Sequence, residues 1–195
     1  KSIMSVASQS YGDIDHIVID GMSTDGTIQA IKKHSDKINI FISERDQGIY
    51  DALNKGVSLA SGEIIGFLHS DDEFYSEDAL CSVAKSFMED DLDGLYANLQ
   101  YVSGQRIIRN WYSGKYSKLN LLFGWMPPHP TLYLRSSIYK EIGNFSLRYK
   151  ISADYDFISR LFASRELKIK HLQSFLVKMR VGGASNASFT NIIKK

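Results

Sequence analysis

Two adjacent aspartates follow an apolar stretch in the first half of the chain. Within GEIIGFLHSDDEF, residues 62–74, an apolar run ends at Leu68 and is followed by Asp71 and Asp72. An uncharged run of this length predicts a strand buried on both faces, and ligands of open α/β sheets lie at the carboxyl edge of such strands. Carboxylates at one edge repel each other unless a cation lies between them, and oxygen ligands suit Mg²⁺ or Mn²⁺. This pattern indicates a metal site, with capping of the next helix by Ser70 to Glu73 as the alternative.

Two further acidic positions lie at the end of a predicted strand and at the start of a predicted helix, where a carboxylate can bind a ligand or act as a base. Asp20 ends a short apolar strand, where its carboxylate can accept hydrogen bonds from a base or a sugar. Asp154, with Asp156 close by, starts a predicted helix, where the helix dipole favours the ionised form that a general base needs. Each of these acids also has a simpler interpretation as a cap. Three acidic positions at the edges of one sheet favour a shared site.

The elements that would position these acids alternate between strand and helix over the first ninety residues. This order predicts right-handed crossovers and a mostly parallel sheet flanked by helices, an α/β fold. Later segments alternate as antiparallel strands around a turn at residues 103–104, and an irregular stretch covers 112–130. The predicted strands are 16–20, 38–43, 64–68, 94–100, 106–111, 132–134 and 171–180, and the predicted helices are 3–10, 27–34, 51–60, 77–88, 136–142 and 154–163.

Composition is that of an ordinary globular domain. The 195 residues are 44% hydrophobic and 23% charged, with a net charge of +1, which gives no reason to expect a nucleic-acid partner. Neither a signal peptide nor an apolar run of transmembrane length is present. The single cysteine, Cys81, fits a reducing compartment, so we expect one cytoplasmic domain over 1–195.

The order of these motifs resembles that of glycosyltransferase family 2, whose members have the GT-A fold. No single motif is decisive, but their order and spacing extend over most of the chain. The matching segments are 5–11, 17–27, 43–56, 60–72 and 152–161.

The resemblance implies an inverting glycosyltransferase of the hexosyltransferase type that uses a nucleotide-diphosphate sugar and Mn²⁺ or Mg²⁺. Asp71 would be the metal-binding acid of the family's DXD motif, and Asp154 would deprotonate the acceptor hydroxyl. Arg180 with Gly182-Gly183 resembles a basic, glycine-containing segment that comes late in the family's sequences. In this family a histidine near the position of His129 approaches the metal or the diphosphate. The alternative for His129 is packing in a turn held by prolines. The residues expected to bind substrate are Asp20, Ser23, Asp46, Gly48, Asn54, Asp72, His129 and Arg180.

Three departures from the family pattern stand out. His69 occupies the first DXD position, where a carboxylate or Asn is usual, and Ala153 replaces the acid that often precedes the base. The family also begins with an apolar strand before the helix at Ile3, so we expect the sequence to lack its first strand.

Similar proteins build bacterial surface polysaccharides at the inner face of the membrane. The acceptor would be a saccharide or a lipid-linked saccharide, and residues 121–125 would either touch a membrane or pack in the core. The flexible acceptor loop of the family falls in 112–130, whose aromatic residues would form a sugar platform or pack inside. One rival hypothesis is a non-catalytic nucleotide-sugar-binding module. The other, a sugar nucleotidyltransferase, would carry a glycine-rich loop with a basic residue, which the sequence does not display.

Overall fold

A computed structural model describes residues 1–181 of the chain, so Gly182 and Gly183 of the predicted basic and glycine segment lie outside the described residues. The helices are α1 (Ser2–Ala7), α2 (Thr27–Lys32), α3 (Ile49–Leu59), α4 (Ala79–Glu89), α5 (Lys118–Leu122), α6 (Ser136–Ile142) and α7 (Ala153–Ser164), with short 3-10 turns at Ser35–Lys37 and His129–Thr131. The strands are β1 (Ile17–Asp20), β2 (Ile40–Ser43), β3 (Ile64–Ile65), β4 (Glu73–Phe74), β5 (Gly94–Ser103), β6 (Arg106–Trp111), β7 (Tyr133–Arg135) and β8 (Ile169–Arg180).

The strands form two separate ladders. β1 and β2 pair in parallel, with Asp20 opposite Ser43 at their carboxyl ends. The larger sheet has the order β3-β7-β5-β8-β4, with β6 paired to β5. In it β5 and β8 run parallel, while the other pairs are antiparallel. The α/β fold class is confirmed. More strand pairs are antiparallel than the alternation of strands and helices indicates, because β5, β7 and β8 lie between β3 and β4 in the larger sheet.

The acidic stretch forms a short strand of its own and does not cap a helix. The predicted strand 64–68 pairs only at Ile64–Ile65, and the ring of Tyr133 occupies the space where Gly66 would carry a Cβ atom. After Asp72 the chain forms β4, which pairs antiparallel with β8. Because α4 begins only at Ala79, the interpretation of residues 70–73 as its cap is wrong.

Two apolar clusters hold the sheet between helices. On one face the sheet packs on α6 and α7, and on the other it packs on α4. Burial of one Leu, Ile or Phe side chain contributes about 1.5–3 kcal/mol to the free energy of unfolding. The buried side chains in the middle of α7 therefore fix this helix against the sheet, while Asp154 in its first turn stays partly exposed. Fully buried members of the first cluster are Leu134, Ile138, Phe157, Ile158 and Leu161, and those of the second are Leu95, Leu99, Leu176 and Val177.

A groove of about 610 Å³ separates the two ladders. Its walls include Ile17 of β1, Ile64 of β3, and apolar side chains of α4 such as Val83. In the described part of the chain, β1 pairs with β2 alone. The expectation that the sequence lacks the first strand of its family remains a prediction.

Candidate active site

Asp20 lies at the carboxyl end of β1 as a buried anion. Its side chain is 6% exposed, and its Oδ2 accepts hydrogen bonds from the Ser23 amide at 3.0 Å and the Ser43 hydroxyl at 2.7 Å. Burial raises the pKa of Asp20, but the hydrogen bonds from Ser23 and Ser43 outweigh it and hold the pKa below its usual value. Met22 has a φ of 67°, the left-handed conformation that turns the Ser23 amide back toward the carboxylate.

Asp46 and Gly48 lie at the same edge. The Asp46 carboxylate rests directly against Gly21, where any Cβ atom would overlap it. Its Oδ1 accepts a hydrogen bond from the Gly48 amide at 2.9 Å. Gly48 precedes α3 with a φ of 114°, a conformation that glycine adopts without strain. The structure therefore brings Asp20, Ser23, Asp46 and Gly48 together at one sheet edge.

Asn54 has a different position from these residues. Its amide nitrogen donates to the Phe145 carbonyl and its oxygen accepts from the Phe145 amide, both at 2.9 Å. The side chain thus fastens α3 to the connection between α6 and α7. This arrangement favours a structural role for Asn54 over a direct contact with substrate.

Asp154 sits in the first turn of α7, partly accessible to solvent. Its Oδ1 accepts hydrogen bonds from the Tyr50 hydroxyl at 3.1 Å and the Tyr155 amide at 3.0 Å. The preceding Ala153 is completely buried, so an acid at this position would be buried too. Asp156 instead forms an ion pair with Arg160 at 3.0 Å and does not join the site.

Two histidines connect Asp154 with the acidic stretch. His129 is 7% exposed and stacks on Phe67, with 5.3 Å between ring centroids, while its ring centroid is 6.3 Å from that of His69. Burial, with the neighbouring His69, lowers the pKa of His129 to about 4, and the charge of Asp154 opposes this. Burial also lowers the pKa of His69, and the charge of Asp154 opposes this lowering. The charge of Asp154 therefore acts on both rings, and His129 is a neutral, packed side chain.

Asp71 and Asp72 differ in how far they are exposed to solvent. Asp72 is 2% exposed; its Oδ1 accepts a long 3.3 Å hydrogen bond from the Arg180 amide, and its Oδ2 has no partner among the described residues. Burial raises the pKa of Asp72 to about 7, with a contribution from Asp71. Asp71 itself is exposed and lines a cavity of about 570 Å³ together with Lys178 and Arg180.

The donor atoms of this acidic pair fit a divalent cation. Among residues 1–181 no three His, Cys, Asp or Glu side chains are grouped closely enough to hold a metal ion alone. Mg²⁺ is commonly held by one or two carboxylates plus substrate phosphates, so a full protein cage is not required. The buried, unpartnered Oδ2 of Asp72 and the accessible carboxylate of Asp71 match that requirement.

The aromatic residues of 111–126 are mostly internal. Trp125 donates to the Ser113 carbonyl at 2.7 Å, and Tyr116 stacks on Phe162 with ring centroids 3.9 Å apart. Tyr112 is 68% exposed and remains a candidate for a sugar platform. On α5 and directly after it, large apolar side chains face solvent: Leu119 (62% exposed), Leu122 (81%) and Phe123 (83%).

Sequence reasoning missed Ser43, Tyr50 and Lys178 as contributors to the site. Ser43 was detectable, since it ends the strand that follows Asp20 and parallel strands align their carboxyl ends. Tyr50 lies within a matching segment, but only the fold brings it to Asp154, 104 residues away. Lys178 depends on the β4–β8 pairing and has no local signal.

Comparison with known proteins gives consistent results. Residues 1–159 match the family description "Glycosyl transferase family 2". The chain is 32% identical over 189 residues to a PGL/p-HBAD biosynthesis glycosyltransferase of Mycobacterium bovis, covering 93% of this chain and 72% of the relative. An uncharacterized glycosyltransferase of Mycobacterium tuberculosis is 29% identical over 181 residues, covering 82% and 62%.

Solved structures have the same fold. S. aureus TarS 1-349 in complex with UDP-GlcNAc superposes with a TM-score of 0.79 at 22% identity, covering 96% of this chain and 56% of that one. The mannosyltransferase PcManGT from Pyrobaculum calidifontis, in complex with GDP-Man and Mn2+, gives 0.69 at 14% identity, covering 100% and 59%. The chain thus spans little more than half the length of these structures. With the GT-A fold and the family match together, the chain belongs to glycosyl transferase family 2.

Proposed function

We propose that this chain is an inverting, metal-dependent glycosyltransferase that moves a sugar from a nucleotide-diphosphate sugar to an acceptor hydroxyl. The observation that carries the proposal is a continuous series of contacts from Asp154 to His69. The Asp154 carboxylate accepts a hydrogen bond from Tyr50, whose ring stacks on Phe145. Phe145 in turn packs edge-on against His129, which lies beside His69. These contacts join a carboxylate at a helix start to the acidic stretch 69–72, although the two are far apart in the chain. A base and a diphosphate-metal site must be neighbours for a single displacement at the anomeric carbon.

Asp154 acts as the base in this proposal. Both hydrogen bonds to its carboxylate arrive at Oδ1, so Oδ2 takes the proton as the acceptor oxygen attacks. The dipole of α7 favours the ionised carboxylate before the reaction. Inversion follows because the acceptor approaches on the face opposite the departing diphosphate.

The donor nucleotide occupies the edge formed by Asp20 and Asp46. Asp20 is held ionised by its serine partners and accepts hydrogen bonds from the base, with Ser23 beside it. Asp46 and Gly48 lie over the nucleotide and sugar. The binding of UDP-GlcNAc and GDP-Man by structural neighbours supports a nucleotide-sugar donor.

Asp71, supported by Asp72, would hold Mn²⁺ or Mg²⁺ at the diphosphate, and Arg180, which lines the same cavity, would pair with phosphate oxygens. A divalent cation at this position offsets the charge that builds on the departing diphosphate. The Mn2+ complex of PcManGT supports this choice of metal.

The acceptor in this proposal is a saccharide or a lipid-linked saccharide of bacterial surface-polysaccharide synthesis. The exposed Leu119, Leu122 and Phe123 support peripheral contact with the inner face of the membrane. No described helix in 1–181 is long and apolar enough to cross a bilayer. Co-sedimentation of the protein with lipid vesicles, with and without Leu122→Ser, measures this contact.

A two-stage experiment tests the proposal. A thermal-shift screen of UDP- and GDP-sugars, with and without Mn²⁺, identifies the donor by the stabilisation that it gives. Turnover of that donor should then fall ~10²–10⁴-fold in Asp154→Asn, the contribution of a positioned base, while the donor still binds. Near-normal turnover in this variant would remove Asp154 from the role of base. Saturable donor binding by the wild-type protein without transfer or hydrolysis would instead identify a nucleotide-sugar-binding module.

A further inference from the structure

Tyr50 contacts the proposed base but has no role of its own in the function proposed above. Its side chain is partly buried at the start of α3, and its hydroxyl lies between two groups of the α7 entry: the Asp154 carboxylate and the Ser152 amide, both at 3.1 Å. The hydroxyl thus bridges two positions that are more than one hundred residues away in the sequence.

The direction of these hydrogen bonds is fixed by chemistry. A backbone N–H can only donate, so the Tyr50 oxygen accepts from Ser152. The one hydroxyl proton is then directed to Oδ1 of Asp154, which as a carboxylate only accepts. Since the Tyr155 amide also donates to Oδ1, that oxygen accepts two hydrogen bonds, while Oδ2 accepts none from the described residues.

The surroundings of Tyr50 restrict its own movement. The ring stacks on Phe145 with 6.0 Å between centroids, and one helical turn later Asn54 holds the Phe145 backbone with two hydrogen bonds. Ser152 has a φ of 75°, an unusual conformation for a residue with a side chain, and its amide is held by the Tyr50 oxygen. One face of α3 therefore fixes both ends of the connection that leads into α7.

We propose that Tyr50 is a positioning residue for Asp154: its hydroxyl holds Oδ1 so that Oδ2 faces the acceptor hydroxyl. This inference rests on the proposed function, because it assumes that Asp154 is the base. Tyr50 neither gains nor loses a proton in the reaction, since its hydroxyl donates to Oδ1 before and after the transfer. Because Tyr50 lies in α3 directly after Asp46 and Gly48, α3 links the loop proposed to cover the donor to the hydrogen bond that holds the base.

The test uses Tyr50→Phe, which keeps the ring and removes the hydroxyl. With the donor found in the screen, turnover should fall about tenfold, within the ~10²-fold that a 1 Å misplacement costs, while the KM for the donor is unchanged. In the Asp154→Asn background the same substitution should lower turnover no further, since residues that act as one unit are not additive. Tyr149→Phe, which removes an exposed hydroxyl from the same connection, is the matched control and should retain wild-type turnover.

A second measurement needs no ligand. The denaturation midpoints of Tyr50→Phe, Asp154→Ala and the double variant form a cycle, and coupling between the two positions should make the double variant less destabilised than the sum of the single variants. Wild-type turnover in Tyr50→Phe, or additive losses in both cycles, would overturn the positioning role. If Asp154→Asn itself retains turnover, the proposed function fails instead, so the two failures are distinguishable.

Discussion

Asp20 and Asp72 are both buried aspartates beside apolar strands, yet their surroundings differ sharply. Asp20 accepts two short hydrogen bonds from Ser23 and Ser43, and its pKa is lowered despite burial. Asp72 has one long hydrogen bond and an oxygen without a partner in the described chain, and burial raises its pKa to about 7.

The difference in hydrogen bonding and pKa indicates which kind of ligand each carboxylate can bind. A solvated or hydrogen-bonded anion needs no counter-ion, so Asp20 can present a fixed charge to a neutral ligand such as a base. A buried carboxylate with one long hydrogen bond and one oxygen without a partner in the described chain is destabilised as an anion until a cation binds. The two ends of the proposed donor site thus separate recognition at Asp20 from charge compensation at Asp71 and Asp72.

The largest effect that tests this contrast is the pH dependence caused by Asp72. In chelator, the folded protein holds a proton on Asp72 up to about pH 7, whereas the unfolded chain releases it near 3.8. The free energy of unfolding should therefore fall as pH rises through this interval, by at most ~4 kcal/mol. Urea denaturation of wild type and Asp72→Asn between pH 4 and pH 8 measures it, and the variant should lose most of the slope.

Asp13→Asn, a substitution at an exposed aspartate, is the matched control for that series and should keep the wild-type slope. Added Mn²⁺ with the donor nucleotide should also flatten the slope in the wild-type protein, because the cation replaces the proton. If the free energy of unfolding depends equally on pH in wild type and Asp72→Asn in chelator, then Asp72 is not the carboxyl group whose pKa is raised by burial.

The Asp20 environment was largely predictable from sequence, and the Asp72 environment was not. Alternating strands and helices place β1 beside β2 in parallel, which aligns Asp20 with Ser43. By contrast, β4 has only two residues and exists through pairing with β8, so no local pattern indicates that Asp72 turns inward toward Arg180.

The same reasoning applies to the proposed base. The helical spacing of 154–163 predicts α7 and places Asp154 in its first turn, as the structure has it. Its hydrogen bond from Tyr50, and the contacts that lead from Tyr50 through Phe145 and His129 to His69, depend on tertiary packing of α3 and of the segment after β3. The sequence thus predicted that Asp154 lies at the start of a helix, while the partners of each acid required the fold.

The next largest effect concerns the hydrogen bonds of Asp20. Ser43→Ala removes the 2.7 Å bond to its carboxylate and should lower the free energy of unfolding at pH 7 by about 1.5–3 kcal/mol, the range for hydrogen bonds to charged groups. Because the pKa of Asp20 is lowered in the folded state, this contribution is present above pH 3.8 and is lost as pH falls below it.

Urea denaturation at pH 7 and pH 3 measures the Ser43→Ala effect at both ends of that range. Ser8→Ala, which removes an exposed hydroxyl with a 3.3 Å bond to the Ser5 carbonyl, is the control and should change stability little at either pH. A loss in Ser43→Ala that is equally large at pH 3 would show that packing, and not the charge of Asp20, is responsible.

The smallest expected effect separates stability from ligand binding at the Asp20 edge. In Gly21→Ala the new methyl group overlaps the Asp46 carboxylate, which must rotate away and give up its hydrogen bond from the Gly48 amide. Loss of one such bond should cost about 1 kcal/mol of unfolding free energy. Since Asp46 then no longer lies beside Asp20, nucleotide affinity in calorimetry should weaken as well.

Gly12→Ala provides the matched comparison, since a Cβ atom at Gly12 meets nothing within 4 Å. It should leave both stability and nucleotide affinity near their wild-type values, so that any change in Gly21→Ala belongs to the displaced Asp46 carboxylate. Wild-type nucleotide affinity in a Gly21→Ala protein that is measurably less stable would separate Asp46 from recognition. Asp20 and its two serine partners would then bind the nucleotide base without Asp46. The comparison with Asp72 would reduce to two residues: Asp20, which is held as an anion by hydrogen bonds, and Asp72, which needs a cation to be stable as an anion.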